Sequence, residues 1–156
     1  MALGAPSVNE VDAMPLSVEE REKFLAGPHV AAVAVEAGGG RGPVNVPVWY
    51  VYRPGGEVVL VTGRASRKAQ LIADAGRFTL LVDQTSPTYR YVSVEGELVS
   101  LETATEELAR EIAVRYLPTE AAVDAHLERI MADPEAVVAI RMRPRHWHSA
   151  DLGRAS

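Results

Sequence analysis

Residues 58–82 read VVLVTGRASRKAQLIADAGRFTLLV, two apolar runs with an amphipathic stretch between them. The first run belongs to residues 57–62 and stops at Gly63, which predicts a strand and its end. Ser66 is of a type that caps helices, and the apolar residues after it are spaced for one buried stripe. Those residues are Ala69, Leu71, Ile72 and Ala75. The second run, 77–82, predicts another strand, so the stretch indicates strand, helix, strand.

The sequence on both sides of this stretch adds strands that are joined mainly by hairpin turns. A glycine-rich loop at 37–42 separates two apolar runs, and Pro54-Gly55-Gly56 is a second turn signal. The predicted strands cover residues 29–35, 44–52, 57–62, 77–82, 89–102 and 135–143. Because helices are inserted between only some of these strands, a parallel sheet is disfavoured. The pattern predicts a mainly β (α+β) fold, an antiparallel barrel of six strands with peripheral helices.

Further helices are predicted near the start of the chain and before the last strand. Ser17-Val18-Glu19-Glu20 is a capping box that opens a helix, and Gly27-Pro28 ends it. Residues 105–116 and 120–131 have acidic outer faces, and we expect them to form a solvated cover without a chemical role. Their expected packing residues are Ile112, Val114, Leu117, Val123, Leu127 and Ile130. We expect residues 1–14 to be a flexible N-terminal arm and residues 15–156 to be a single domain.

The composition excludes several classes of protein. The 156 residues are 47% hydrophobic and include no cysteine, which excludes disulfides, thiolate nucleophiles and cysteine-based metal sites. The N-terminal sequence has no basic run followed by an apolar core, and no apolar stretch approaches the roughly 20 residues that span a bilayer. We therefore expect a soluble, cytoplasmic protein that is not exported.

The charge is distributed unevenly along the chain. The net charge of −5 disfavours a nucleic-acid or membrane-surface binder, because either needs a broadly positive face. Residues 37–78 nevertheless contain six basic and two acidic residues, a balance of +4 that leaves −9 for the rest of the chain. A local positive patch on an acidic protein suits a small anionic ligand.

The centre of this patch is the segment from Val61 to Lys68. A helix N-terminus offers unpaired N–H groups and a partial positive charge, and here Ser66 caps it while Arg67 and Lys68 occupy the first turn. Cations at this end oppose the helix dipole, and a bound anion would reverse that cost. The pattern therefore indicates a phosphate pocket, and a solvated helix start with two surface cations is the alternative.

The order of motifs resembles the pyridoxamine 5′-phosphate oxidase-like family of flavin-binding split β-barrels. The resemblance rests on four features in order along the chain. Thr62-x4-Arg67-Lys68 follows an apolar strand and opens a helix, and the strand Arg77-Phe78-Thr79-Leu80-Leu81-Val82 and the segment Arg90-Tyr91-Val92-Ser93-Val94-Glu95-Gly96 come after it. Together they cover roughly residues 20–102. It implies a split barrel that binds FMN or, as in related barrels, the deazaflavin coenzyme F420. It also implies a homodimer with the cofactor site between the subunits.

The resemblance assigns cofactor contacts to particular residues. Arg67 and Lys68 resemble the family's phosphate-binding pair, and Val61 and Thr62 resemble the residues beside it. The complete expected set is Val46, Pro47, Val48, Trp49, Val61, Thr62, Ser66, Arg67, Lys68, Arg90 and Tyr91. Tyr91 replaces a glutamine of the oxidase, so its contact differs, although a phenol can stack or donate a hydrogen bond.

The same resemblance leads to a redox function. Residues 145–154, Arg-His-Trp-His-Ser-Ala-Asp-Leu-Gly-Arg, do not match the segment with which the true oxidase binds its vitamin substrate. We therefore expect an FMN-binding or F420-binding oxidoreductase that transfers hydride to or from another small organic substrate. The alternatives are a non-catalytic flavin-binding or sensing protein and a plain dimeric barrel. No catalytic side chain is assigned, because the cofactor carries the electrons.

Other motifs carry weaker signals. The chain lacks GxSxG, HExxH, P-loop and GxGxxG patterns, and no helix follows its glycine-rich loop. His146 and His148 alternate on an extended segment, but without a third ligand we expect no metal site there, and rather a dimer contact or a place beside the substrate. Trp49, Tyr50 and Tyr52 are expected in the barrel core or an interface, with flavin stacking as the alternative for Trp49 or Tyr50.

Overall fold

The computed structural model describes residues 14–153, and within that range the chain forms four α-helices and seven strands. The helices are α1 (Val18–Leu25), α2 (Arg67–Ala75), α3 (Glu106–Tyr116) and α4 (Glu120–Ile130). The strands are β1 (Ala31–Val35), β2 (Val44–Val48), β3 (Tyr50–Tyr52), β4 (Val58–Gly63), β5 (Arg77–Gln84), β6 (Arg90–Thr103) and β7 (Val137–Asp151). All but Met14 of the predicted N-terminal arm lies outside the described residues, and Met14 pairs with Asp151 through two backbone hydrogen bonds.

The strands form one antiparallel sheet in the order β2-β1-β5-β6-β7-β4-β3. This confirms the mainly β, antiparallel fold class. The two edge strands are consecutive in the chain, since only Trp49 separates β2 from β3. The sheet therefore curls until its edges meet at Trp49.

The strand count of six is wrong because the predicted strand at 44–52 is two strands. Val48 pairs with Ala31 of β1, whereas Tyr50 pairs with Leu60 of β4 at the opposite edge. Trp49 crosses from one edge to the other and so has no partner in either ladder. The described sheet thus has seven strands and an open seam beside Trp49.

The register assigns alternate residues to the two faces of the sheet. Val33 stands opposite Val46 and Leu80, and these side chains belong to the core or pack against it. The next register position faces outward, where Ala32 stands opposite Pro47 and Leu81. This outer row continues across β6 and β7 through Ser93 and His148.

The closing strand β7 is longer than the predicted strand at 135–143 and includes both histidines of the tail. It pairs with β6 along most of its length, with an irregularity between Glu95 and Gly96. A Cβ atom at Gly96 would overlap the carbonyl oxygen of Arg143, so only glycine allows the two backbones this approach.

The helices cover the barrel in two places. Helix α1 begins at the predicted capping box, with Ser17 Oγ accepting from the Glu20 N–H at 3.1 Å, and it buries Phe24 and Leu25 in the core. Helices α3 and α4 pack as a hairpin beside β3 and β4, where Ile112 contacts a cluster with Val51 and Val59. Val114 is 55% exposed, so its prediction as a packing residue is wrong.

Candidate functional site

A cavity of about 930 Å³ lies between the barrel and the α3–α4 hairpin. Its barrel side is formed by Val30, Pro47, Val48, Trp49, Val61, Thr62, Gly63, Ala136 and Val137, with Lys68 of α2 beside them. The hairpin side is formed by Ala109, Ile112, Ala113, Leu117, Ala122, Ala125, His126, Arg129 and Ile130. The walls are mostly apolar, and the described lining residues include cations but no carboxylate. Such a cavity is of a size that holds a cofactor or a drug-sized ligand.

The N-terminus of α2 brings Lys68 to this cavity, with Arg67 next to it in the chain. Ser66 Oγ accepts from the Ala69 N–H at 3.3 Å, and Lys68 lines the cavity. Within residues 14–153, neither Arg67 nor Lys68 has a carboxylate within ion-pair distance. Burial lowers the pKa of Lys68, and a bound anion would oppose this effect.

Arg64, three residues earlier, has a different role. Its Nε donates to the Glu135 carbonyl at 2.8 Å, and its Nη2 donates to Thr103 Oγ1 at 2.7 Å. These bonds tie the loop before α2 to the turn before β7. Of the three cations in this segment, Arg67 and Lys68 therefore remain for a ligand.

Two aromatic rings, those of Trp49 and His126, line another part of the cavity. The Trp49 ring stacks on Tyr116 of α3 with centroids 5.0 Å apart, and the His126 ring lies 5.3 Å from Trp49. The Tyr116 hydroxyl donates to the His29 carbonyl at 2.8 Å, which fixes α3 against the barrel. Tyr50 is fully buried, so the alternative in which it stacks on a flavin is wrong.

The structure brings most, but not all, of the predicted site residues together. Pro47, Val48, Trp49, Val61, Thr62 and Lys68 line the cavity, and Ser66 and Arg67 adjoin Lys68 at the start of α2. The Val46 side chain packs against the core instead. The Arg90 guanidinium lies 5.3 Å from the Phe24 ring centroid, and Tyr91 lies on β6; neither lines the cavity of the single chain.

The sequence reasoning missed the contribution of the α3–α4 hairpin. The hairpin was expected to have no chemical role, yet His126 and Arg129 both line the cavity. A signal was present in the spacing, because His126 falls between Val123 and Ile130 on the apolar stripe of α4. The acidic residues of the two helices obscured it.

The residues present fit a phosphorylated, planar cofactor. Two unpaired cations at a helix N-terminus suit a phosphate, and the apolar wall with Trp49 suits an aromatic ring. Burial of Lys68 without a counter-ion is the specific observation that favours an anion here.

The two histidines of the tail lie outside the cavity. His146 and His148 lie on the outer face, opposite Glu95 and Ser93 respectively. Between Met14 and Gly153, no three histidine, cysteine or carboxylate side chains cluster in a way that could hold a metal ion. None of the helices in that range has the length and apolarity to cross a membrane.

Comparison with known proteins places this architecture. The solved structures that it resembles include an F420 reductase (21% identity, 81% of this chain and 94% of that chain covered, TM-score 0.67). A second is a conserved hypothetical protein from Mycobacterium tuberculosis (24% identity, 91% of this chain and 88% of that chain covered, TM-score 0.68). A third is an FAD-binding protein from Mesorhizobium loti (17% identity, 89% of this chain and 96% of that chain covered, TM-score 0.58). At these identities the likeness shows the fold alone.

No curated protein matches the sequence. A family model does: the model described as pyridoxamine 5′-phosphate oxidase matches residues 17–150, which is most of the chain. The barrel, its seam at Trp49 and the helix that begins at Ser66 all lie within the matched range. This chain therefore belongs to the pyridoxamine 5′-phosphate oxidase family.

Proposed function

We propose that this protein is an oxidoreductase that binds FMN or F420 and transfers hydride to or from a small organic substrate. The observation that carries the proposal is the pair of unpaired cations, Arg67 and Lys68, at the N-terminus of a helix that opens on an apolar cavity. Membership of the family and the fold shared with an F420 reductase and an FAD-binding protein support it.

The residues of the cavity divide into two groups for this role. Arg67 and Lys68, with Ser66 and Thr62, would hold the phosphate through charge-assisted hydrogen bonds and the helix N–H groups. The other predicted contacts, Pro47, Val48, Trp49 and Val61, would lie along the ring, and the apolar wall would exclude water. When bound, a flavin or deazaflavin supplies the hydride chemistry, so no catalytic side chain is needed.

We propose a reaction other than pyridoxamine phosphate oxidation. The tail that differs from the true oxidase begins at Arg145. Its residues 145–151 belong to β7, and none of residues 145–153 lines the cavity. Trp147 packs against the core, and the Arg21 guanidinium covers its ring at 4.6 Å. The tail of this chain is thus part of the barrel wall.

We also propose a homodimer in which the cofactor lies near the subunit interface. Pro47 lines the cavity and belongs to the outer row that includes Leu81, a large apolar residue that is 41% exposed. Val30, which is 59% exposed, lies beside both. Tyr91 lies on β6 next to this face, so we propose that it contacts a cofactor held by the other protomer, and the role of Arg90 stays a prediction.

The phosphate assignment can be tested by a double substitution. Arg67→Ala with Lys68→Ala should weaken FMN or F420 binding by about tenfold or more, equivalent to about 1.4 kcal/mol, because two charge-assisted contacts are lost. Purified protein would be titrated with each cofactor separately and followed by absorption, which also identifies the preferred cofactor. The control is Arg41→Ala with Arg77→Ala, which removes the same charge from the same positive segment.

Three results would contradict the proposal. Equal affinities of the two double variants would show that Arg67 and Lys68 have no specific role. No saturable binding of either cofactor by the unmodified protein would indicate a plain barrel. A cofactor that binds but is never reduced or reoxidised by nicotinamide donors would instead favour the non-catalytic flavin-binding alternative.

A further inference from the structure

The proposed cofactor contacts leave one polar group of the cavity unexplained. His126 and Arg129 lie one turn apart on α4, and Arg129 Nη2 is 3.0 Å from His126 Nδ1. A guanidinium can only donate, so His126 Nδ1 accepts this bond. The neutral imidazole then carries its proton on Nε2, which faces away from Arg129, and the bond at Nδ1 fixes the guanidinium while its other N–H groups remain donors.

The charge around this pair is unbalanced. In the described chain Arg129 has no carboxylate partner, whereas Arg110 on the neighbouring helix pairs with Asp124 at 3.0 Å. The described lining of the cavity is without acidic residues. Burial and the charge of Arg129 lower the pKa of His126, which favours the neutral ring.

The pair also stands next to an aromatic wall. The His126 ring lies 5.3 Å from Trp49, which stacks on Tyr116 at 5.0 Å. A ligand with an apolar body could pack along this wall and present an anionic end to Arg129. Lys68 belongs to α2 and Arg129 to α4, so donors reach the cavity from two elements.

We propose that Arg129, held in place by His126, forms a subsite for the carboxylate of a small, apolar, aromatic substrate. The guanidinium N–H groups that are not bonded to His126 can pair with both oxygens of a carboxylate. The apolar body of the substrate would pack in the cavity beside Trp49. This inference rests on the proposed function, because it places the substrate in the cavity that holds the cofactor.

Calorimetric titration with 2-naphthoate and its neutral analogue 2-naphthamide tests the subsite. Arg129→Gln should weaken naphthoate binding by about tenfold or more, which is the loss of one charge-assisted contact. Naphthamide should bind the variant and the unmodified protein equally. Arg110→Gln is the matched control, because it removes the same charge from the adjacent helix outside the cavity, and it should leave naphthoate binding unchanged.

The outcomes separate this inference from the proposed function. The subsite is overturned if naphthoate shows no saturable binding, if Arg110→Gln has the same effect as Arg129→Gln, or if Arg129→Gln weakens FMN or F420 instead of naphthoate. Loss of naphthoate binding in the Arg67→Ala, Lys68→Ala variant would also overturn it, since the ligand would then occupy the cofactor's phosphate position. Naphthoate binding that depends on Arg129, in a protein that binds neither cofactor, would support the subsite and overturn the proposed function.

Discussion

Tyr50 joins the end of α1 to the barrel. Its side chain is fully buried beside the seam, and its hydroxyl contacts the carbonyl oxygens of Leu25 and Gly27. Arg115 donates to the same Gly27 carbonyl at 2.8 Å and to the Ala26 carbonyl at 3.2 Å, so the end of α1 is held from two sides. Burial raises the pKa of Tyr50 far above the ordinary value of 10.0.

The raised pKa of Tyr50 makes stability depend on alkaline pH. Because the folded pKa lies above the unfolded one, the stabilisation by the neutral phenol is complete below about pH 10 and is lost as pH rises further. Tyr50→Phe should cost about 1–2 kcal/mol of unfolding free energy at pH 7, through the lost hydrogen bonds. It should also lose less stability than the unmodified protein between pH 9 and pH 11, as measured by urea unfolding. Parallel pH profiles for the two proteins would contradict the buried, neutral phenol.

The elements differ in how well the sequence predicts them. The starts of α1 and α2 were predicted correctly because a cap is a local contact: Ser17 bonds the Glu20 N–H, and Ser66 bonds the Ala69 N–H. The break at Trp49 was not predicted, because it depends on pairing with strands that are distant in sequence. A run of alternating apolar residues shows only that each residue prefers a strand, and not which edge of the sheet it joins.

The candidate site shows the same difference between contacts that are local in sequence and contacts between distant residues. Lys68 and Thr62 were predicted from a contiguous motif, and both line the cavity. The stacking of Trp49 on Tyr116 joins residues far apart in the chain, and the acidic surface of α3 and α4 disguised their inner face. The sequence signal for that inner face was the position of His126 on the apolar stripe of α4.

A substitution at the start of α2 should raise the stability of the protein and lower its affinity for the cofactor. The turn contains no acidic residue, and its two cations oppose the helix dipole. Ser66→Asp keeps a capping oxygen and adds a negative charge beside Arg67 and Lys68, so it should stabilise the cofactor-free protein by about 0.3–1 kcal/mol. The same charge should weaken FMN binding by about tenfold, because it competes with the phosphate.

Thermal unfolding and absorption titration measure the two effects of Ser66→Asp. The matched control is Thr105→Asp, which changes the cap of α3, a helix whose first turn already contains Glu106 and Glu107. That variant should leave cofactor affinity unchanged. Tighter FMN binding by Ser66→Asp would show that the phosphate lies elsewhere.

The whole molecule is organised by the two faces of its curled sheet. The inner face is filled by the core, so of the two faces of the sheet only the outer one is open to a partner chain. The outer row from Pro47 through Ala32 to Leu81 leads from the cavity across three strands. Further along the same row stands His148, where a dimer contact was expected from the sequence. This row is the surface on which we expect a second copy of the chain.

A charge placed on this row should separate the protomers. The unmodified protein should sediment at twice the 16.8 kDa mass of the chain, and Leu81→Glu should shift it towards the monomer, because burying an unpaired carboxylate in an apolar interface is costly. Val114→Glu is the control, since Val114 is 55% exposed on α3, away from the row. Analytical ultracentrifugation measures the shift, and a dimer unaffected by Leu81→Glu would exclude this face as the interface.

FMN affinity should fall together with dimerisation, because Pro47 belongs to both the row and the cavity. A monomeric Leu81→Glu variant with full affinity would mean that one protomer completes the cofactor site alone.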